Sequence, residues 1–313
     1  MDKRTTQFNA MTIDELKELL KKFDSSITYN ADLKKKNWFN IGGKAKVFFK
    51  ANELTDLVEF LKVLDNREKI HIIGAGSNTL ITDEVYDGVI IKLGKNFNRL
   101  SVLNSNIIIS GTAVLDKKLS DFAAENSLSG FEFLSCIPGT VGGGLKMNAG
   151  CFGTEIKDIL VSIQSVDKNG NVLTIPAKEI NFEYRNNDLS ESLIFLSASF
   201  KGEKKDTQKI LEKMSKLKNK KDNNQPTKIK TSGSTFKNPI NLTSKKVWEL
   251  IKESVPADVE FGDACISKKH SNFFVNKGNA SFKDMKKLIN FVEKSVFNKT
   301  GVKIEKEIKI LEN

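Results

Sequence analysis

The chain has 313 residues, 39% hydrophobic and 28% charged; this is globular composition, which excludes fibrous, collagenous and wholly disordered classes and leaves room for two or three domains. Its net charge of +11 is unevenly placed: 24 basic and 25 acidic residues stand up to Phe200, 26 and 14 from Lys201 onward, so the C-terminal part expects an anion or carries a solubilising Lys-rich surface. No stretch approaches the ~20 apolar residues of a membrane span, and Met1–Ala10 is polar without an apolar core or cleavage site, which predicts a cytoplasmic protein.

Thr12-Ile-Asp-Glu15 reads as a capping box that opens a helix with Ile13, Leu16, Leu19, Leu20 and Phe23 on its apolar side. A loop follows over Lys34–Gly43, then a strand at Val47–Phe49, an amphipathic helix at Glu53–Leu64 and a short strand at Lys69–Ile73. Val89–Leu93 and Asn106–Ser110 are β-rich runs, and Asp116–Asn126 is helical. Past a glycine-rich stretch, Ile159–Val166, the turn Asn169-Gly170, Val172–Ile175 and Leu193–Phe200 are spaced as in antiparallel sheet. Composition shifts near Lys201. Helices are expected at Lys204–Lys221, Lys245–Glu253 and Ser281–Lys299, with a polar loop over Asp222–Lys230. Val302–Leu311 alternates as a final strand whose odd-numbered side chains, Glu305 and Glu307 among them, share one polar face. The class is α+β, divided at about 200–205.

Four segments can carry chemistry. Ile72-Ile-Gly-Ala-Gly-Ser-Asn-Thr-Leu-Ile81 runs from a strand into Gly74, Gly76, Ser77 and Asn78, where backbone N–H groups can turn toward a phosphate; a plain tight turn is the alternative. It lacks the dinucleotide fingerprint, since Thr79 occupies the third glycine position and no helix pattern follows. Ile137-Pro-Gly-Thr-Val-Gly-Gly-Gly-Leu-Lys-Met-Asn-Ala-Gly150 is costly to order unless something binds its backbone, and a long diphosphate-bearing cofactor suits it better than a flexible surface loop. In Glu183-Tyr-Arg185 the chain spends one of only four arginines against 46 lysines, as for a bidentate grip on a carboxylate; an ion pair with Glu183 or Asp188 is the alternative. In Thr231-Ser-Gly-Ser-Thr-Phe-Lys-Asn-Pro239, Ser234 stands near Lys237 and Asn238 as a hydroxyl placed to give up a proton, or else as an ST-turn or helix cap. No triad order or Gly-x-Ser-x-Gly elbow supports a serine hydrolase. Cys136, Cys151 and Cys265 have no metal-ligand spacing and, with His71 and His270 the sole histidines, predict neither a metal site nor disulfides.

Taken in order, Asn40-Ile-Gly-Gly43, Gly74–Asn78, Ile137–Gly143 with Met147–Gly150, Tyr184-Arg185, Gly233–Pro239, Ser267-Lys-Lys-His270 and Glu307-Ile-Lys309 resemble the UDP-N-acetylenolpyruvoylglucosamine reductase family over residues 36–311. The short C-terminus after Glu307 and the lack of an extra substrate-covering insertion resemble its shorter subtype. The resemblance implies an N-terminal helical extension (1–35), a vanillyl-alcohol-oxidase-like (PCMH-type) FAD-binding domain (36–203) and a smaller α+β substrate-binding domain (204–313). It implies FAD held by Gly74, Ala75, Gly76, Ser77, Asn78, Thr79, Pro138, Gly139, Thr140, Gly142, Gly143, Asn148, Ala149 and Gly150, with NADPH as co-substrate and no metal. By position, Arg185, Ser234 and Glu307 are the catalytic residues, while Tyr184 and Asn238 contact a UDP-sugar. A neutral or hydrogen-bonded Glu307 is expected, because a charged one would repel the substrate carboxylate. Neither nucleic acid nor membrane is an expected partner, the basic residues not being interleaved with aromatics, and the chain is expected as a monomer or weak oligomer. Lys44, Gly262-Asp-Ala264 and Asn223-Asn224 depart from the family pattern; the last leaves Lys220, Lys221, Lys228 and Lys230 as candidates for the substrate diphosphate. Another FAD-dependent oxidoreductase of the same superfamily, acting on a hydroxy acid, is the competing reading.

Overall fold

The capping box forms where the spacing predicts it: the Thr12 N–H donates to Glu15 Oε2 at 2.7 Å and the Glu15 N–H to Thr12 Oγ1 at 3.3 Å, opening α1 (Ile13–Leu20). Its apolar face is buried, and Phe23 in the turn that follows meets Phe49 and Phe60 edge-on. The N-terminal segment is thereby part of one hydrophobic core with Val47, Leu57 and Val89. The computed structural model describes residues 11–226 and 229–313; Met1–Ala10 and Lys228 lie outside the described residues.

β1 (Ile27–Asp32), which has no clear sequence signal, pairs antiparallel with β2 (Lys44–Ala51). From there α2 (Leu54–Leu64) leads to β3 (Ile70–Ile72), the first glycine segment leads to β4 (Thr79–Ile81), and β5 (Tyr86–Leu93) follows. The first sheet has the order β1-β2-β5-β3, with β5 parallel to both β2 and β3. Next come β6 (Leu100–Leu103), β7 (Ile107–Gly111), α3 (Asp116–Glu125), α4 (Val141–Lys146), β8 (Leu160–Val166), β9 (Val172–Pro176) and β10 (Ile194–Lys201). These strands form a five-stranded antiparallel sheet, β9-β8-β10-β7-β6, with Gly170 at φ +85° in the β8–β9 turn that Asn169-Gly170 predicts. The glycine-rich stretch is not an open loop, because its middle winds into α4.

The predicted helix at 204–221 is shifted to α5 (Thr207–Asn224), capped by Asp206, so Asp222–Asn224 are helical rather than loop. α5 lies against the first part of the chain: Lys213 pairs with the buried Glu132 at 3.4 Å, and Lys221 Nζ donates to the Cys136 carbonyl at 2.8 Å. α6 (Val247–Ser254), the small antiparallel sheet β11 (Glu260–Phe261), β12 (Ala264–Ile266) and β13 (Phe274–Asn276), and α7 (Phe282–Thr300) build the last core. Ser281 caps α7 and Gly301, at φ +71°, ends it. Phe39, Ile41 and Leu80 from the N-terminal part enter this core beside Phe236, Phe274 and Leu288.

The final segment corrects one expectation. Only Lys309–Leu311 forms a strand, β14, parallel to β4. Upstream, the N–H groups of both Glu307 and Ile308 point to the Thr235 carbonyl, at 2.8 and 3.4 Å, which interrupts the alternation. Glu305 is left 74% exposed while Glu307 is 17% exposed, so the two do not share a face.

Candidate active site and cofactor cradle

The two glycine segments lie against each other. A Cβ on Gly74 would run into the Thr140 side chain, one on Gly76 (φ +66°) into the Lys36 carbonyl, and one on Gly139 would stand 2.8 Å from Asp116 Oδ2. The amides of Ala75, Gly76, Ser77 and Asn78 donate to no protein acceptor among the described residues, so this turn offers a row of free N–H groups. In the second segment a Cβ on Gly142 would stand 3.1 Å from Thr112 Cβ and one on Gly144 2.7 Å from the end of the Ile156 side chain, so both glycines are closely packed. Backbone donors without a protein acceptor and closely packed backbone free of side chains fit the diphosphate of FAD.

Beneath this cradle sits Asp116, which belongs to none of the four motif segments. It is fully buried, neither carboxyl oxygen has a hydrogen-bond partner among the described residues, and its N–H donates to the Gly139 carbonyl. Burial alone pushes its pKa up to about 8.

The remaining motif residues meet at one end of the cradle. Phe182-Glu183 and Asn186-Asn187 pair across a two-residue turn, which puts Tyr184 and Arg185 at its tip with Arg185 at φ +58°. Its guanidinium donates to the Gly150 carbonyl at 2.7 Å and to Glu307 Oε1 at 3.2 Å, and it stacks over the Tyr184 ring. Neither Glu183 nor Asp188 pairs with it: its second carboxylate, at 3.8 Å, is Glu155, which no motif marks. Asn148 holds Glu155 Oε2 at 3.0 Å and the Glu183 carbonyl at 3.1 Å. Burial raises the Glu307 pKa above the ordinary carboxylate range, against the opposing pull of Arg185 and then Lys237.

Ser234 approaches from the C-terminal part. It caps no helix; it forms an isolated antiparallel bridge with Phe273, and the space at Gly233 beside it is open. Asn272 fixes this segment on both sides, accepting from the Phe236 N–H at 3.0 Å and donating to the Phe236 carbonyl at 2.9 Å. Thr235 in turn holds the Glu307 backbone, and Asn78 Nδ2 donates to the Glu307 carbonyl at 3.0 Å. The first glycine turn, Glu307 and the Ser234 segment are therefore stitched directly together. Asn238 donates to the Tyr184 hydroxyl at 3.2 Å, joining the last two predicted contacts. Of the lysines considered for a diphosphate, Lys221 is tied to the Cys136 carbonyl, Lys230 to that of Gly278 at 3.1 Å, and Lys220 lies over Phe152. Glu155, Asn272 and Asp116 carry no local sequence signal; each acquires its place through partners far along the chain or from another element.

Comparison with known proteins identifies the family. A family model described as "FAD binding domain" matches residues 45–176, and one described as "UDP-N-acetylenolpyruvoylglucosamine reductase, C-terminal domain" matches 225–311. The UDP-N-acetylenolpyruvoylglucosamine reductase of Pelagibacter ubique is 64% identical over 301 residues, covering 96% of this chain and 100% of that one. That of Rickettsia typhi is 46% identical over 280 residues, 89% and 93% of the two chains. The crystal structure of UDP-N-acetylenolpyruvylglucosamine reductase from Thermus caldophilus superimposes with a TM-score of 0.78 at 28% identity, covering 91% of this chain and 98% of that one. With the cradle, the Arg185–Glu307 contact and near-complete coverage by relatives this similar, the chain belongs to the UDP-N-acetylenolpyruvoylglucosamine reductase family.

Proposed function

We propose that the chain reduces enolpyruvyl-UDP-N-acetylglucosamine to UDP-N-acetylmuramate with NADPH and bound FAD, a step of peptidoglycan precursor synthesis. The observation that carries this reading is the stitching of Glu307 to Asn78 of the cofactor cradle and to Thr235 beside Ser234. It supports a reading in which a cation (Arg185), an acid (Glu307) and a hydroxyl (Ser234) serve one site. Gly74–Thr79 together with Pro138–Thr140, Gly142, Gly143 and Asn148–Gly150 would hold FAD, which when bound would supply hydride taken from NADPH.

When hydride arrives at the vinyl carbon of the substrate, negative charge moves toward its carboxylate. Arg185 is preset to receive that charge: Gly150 and the Tyr184 ring fix its plane before substrate binds, so no reorganisation is needed. Glu307, its pKa raised by burial, can present a proton to the same carboxylate rather than a second negative charge. Ser234 gives its hydroxyl proton to the other carbon, completing saturation of the double bond. Tyr184 and Asn238 hold the sugar nucleotide.

In this reading residues 36–203 form the FAD domain and 204–313 the substrate domain, with 1–35 packed on the former. The basic C-terminal part faces the substrate phosphates. The protein works in the cytoplasm as a monomer or weak oligomer, without nucleic acid; among the described residues no helix is long and apolar enough to cross a membrane. The test is an absorption spectrum of the purified protein and an assay of NADPH oxidation. A yellow protein whose NADPH oxidation depends on the enolpyruvyl UDP-sugar is expected. A colourless protein that takes up no FAD overturns the reading, and turnover with a hydroxy acid and O₂ instead would favour the competing oxidase.

A further inference from the structure

Arg185 meets two carboxylates with one charge. Glu307 Oε1 accepts from its Nε–H at 3.2 Å, and Glu155 Oε1 lies 3.8 Å from its Nη1. The Glu307 side chain receives no second donor among the described residues. Glu155 is better supplied: Asn148 Nδ2 donates to its Oε2 at 3.0 Å, and the Lys157 ammonium stands 3.1 Å from the same oxygen. Cations at both oxygens and an amide at one suit a carboxylate that only accepts. The backbone repeats the link. Glu155 pairs with Gly150 across a two-residue antiparallel ladder, Gly150 supplies the carbonyl that holds Arg185 Nη2 at 2.7 Å, and Asn148 ties Glu155 to the Glu183 carbonyl at the base of the turn that carries Arg185. Of the groups that hold the guanidinium from this side, only Glu155 brings a charge.

We propose that Glu155 is a positioning residue: it matches the charge of Arg185 and leaves Glu307 to be the neutral acid of the site. What that acid does rests on the proposed function; the charge relation does not. Without Glu155 the whole guanidinium charge would fall to Glu307, which would then ionise and turn a second negative charge toward the substrate carboxylate. With it, burial prevails at Glu307, whose pKa stands raised in spite of Arg185. The other charged or titratable groups nearby are Lys237, which faces Glu307 and lies 3.6 Å from the exposed Glu305; Asp158, which accepts the Glu155 N–H at 2.8 Å; Glu183, which accepts from Asn186; and the Cys151 thiol next to Gly150. Among the described residues none of these forms an ion pair with Arg185 or Glu307. Glu155 is therefore the group whose charge competes with Glu307 for the one guanidinium.

The test reads Glu307 directly. FAD-loaded protein carrying glutamate labelled with ¹³C at its side-chain carboxyl is titrated by NMR at low ionic strength, the Glu307 signal being the one missing from Glu307→Gln. A charge one guanidinium away moves a titration by about one pH unit. In Glu155→Gln, which keeps an acceptor for Asn148 but no charge, Glu307 should therefore titrate about one pH unit lower; in Glu155→Asp, which restores the charge, it should return toward the native value. An unmoved Glu307 in Glu155→Gln, or an equal shift in Glu155→Asp, overturns the proposal, since a role in packing alone is blind to charge. If Glu155→Gln does not fold, Lys157→Met decides: the lysine is 42% exposed, and its loss leaves Glu155 to draw on Arg185 alone, so Glu307 should titrate higher. No change, or a fall, overturns the proposal. Stopped-flow reoxidation of the NADPH-reduced flavin by the enolpyruvyl UDP-sugar should slow as pH rises through the Glu307 titration, and this limb should follow Glu307 downward in Glu155→Gln. A titration that moves while the limb stays upholds Glu155 and overturns Glu307 as the acid of the proposed reaction, so the two failures are told apart.

Discussion

Replacing Asp116 with asparagine removes a buried acid while keeping its shape. In the native protein its pKa is pushed from 3.8 up to about 8, with burial the cause. An unfolded chain releases that proton above about pH 4, whereas the folded one keeps it until about pH 8. Unfolding therefore releases a proton over this window, and the contribution of Asp116 to stability, complete below pH 4, is lost as pH rises. Each pH unit costs ~1.4 kcal/mol, so at pH 7 the penalty is roughly 4 kcal/mol relative to a residue that never ionises. Asp116→Asn escapes it. The amide also lacks partners in this pocket, which subtracts a pH-independent ~1–3 kcal/mol. The slope is therefore the diagnostic. Urea unfolding of both proteins at saturating FAD, from pH 5 to pH 8, should show the variant gaining on the wild type by ~1 kcal/mol or more per unit. Parallel curves would refute the reasoning, because they would mean that Asp116 is ionised in the folded protein and held by a partner.

The other outcomes follow from single contacts. Arg185→Lys keeps the charge but loses the fork shared by Gly150 and Glu307, so kcat should fall by about 10²–10³ with FAD content unchanged; a loss under tenfold would show that charge alone suffices. Ser234→Ala should leave flavin reduction by NADPH intact and slow reoxidation by the enolpyruvyl substrate by about 10²–10⁴, as stopped-flow absorbance would read; equal losses in both half-reactions would make the effect structural. Gly76→Ala forces a side chain into the left-handed region, at φ +66°, and against the Lys36 carbonyl, so the purified protein should be colourless or lose FAD on dilution. Full flavin content in that variant would show that the turn is not part of the cradle.

What could be read from the sequence depended on the range of the interactions involved. Helices α1 and α7 announce themselves because the capping box and apolar period are local, and the β8–β9 hairpin because Asn169-Gly170 suits its turn. β1 escapes notice because Ile27–Asp32 owes its strand state to pairing with β2. Three successive glycines argue against helix at ~1 kcal/mol each, yet α4 forms, with Gly142 and Gly144 packed closely against Thr112 and Ile156. An aspartate in the first turn of α3 reads as a solvated partner of the helix dipole; its burial follows from Gly139 and Gly144 covering it.

Glu305 and Glu307 show where local reasoning stops. Strict alternation gives the two carboxylates one environment, and only the motif distinguishes them. In the folded chain Thr235 accepts from two successive amides, the alternation slips, and Asn78 takes the Glu307 carbonyl. Glu305 is left near Lys237 at 3.6 Å, largely in water, while Glu307 turns inward to Arg185, 122 residues away in sequence. Its raised pKa comes from that inward turn, since burial is the leading cause and the nearby cations act against it. A change that restored regular pairing between 235 and 308 would return the two glutamates to one shared face: the distinct inward position of Glu307 beside Arg185 would be lost without any substitution of Glu307 itself.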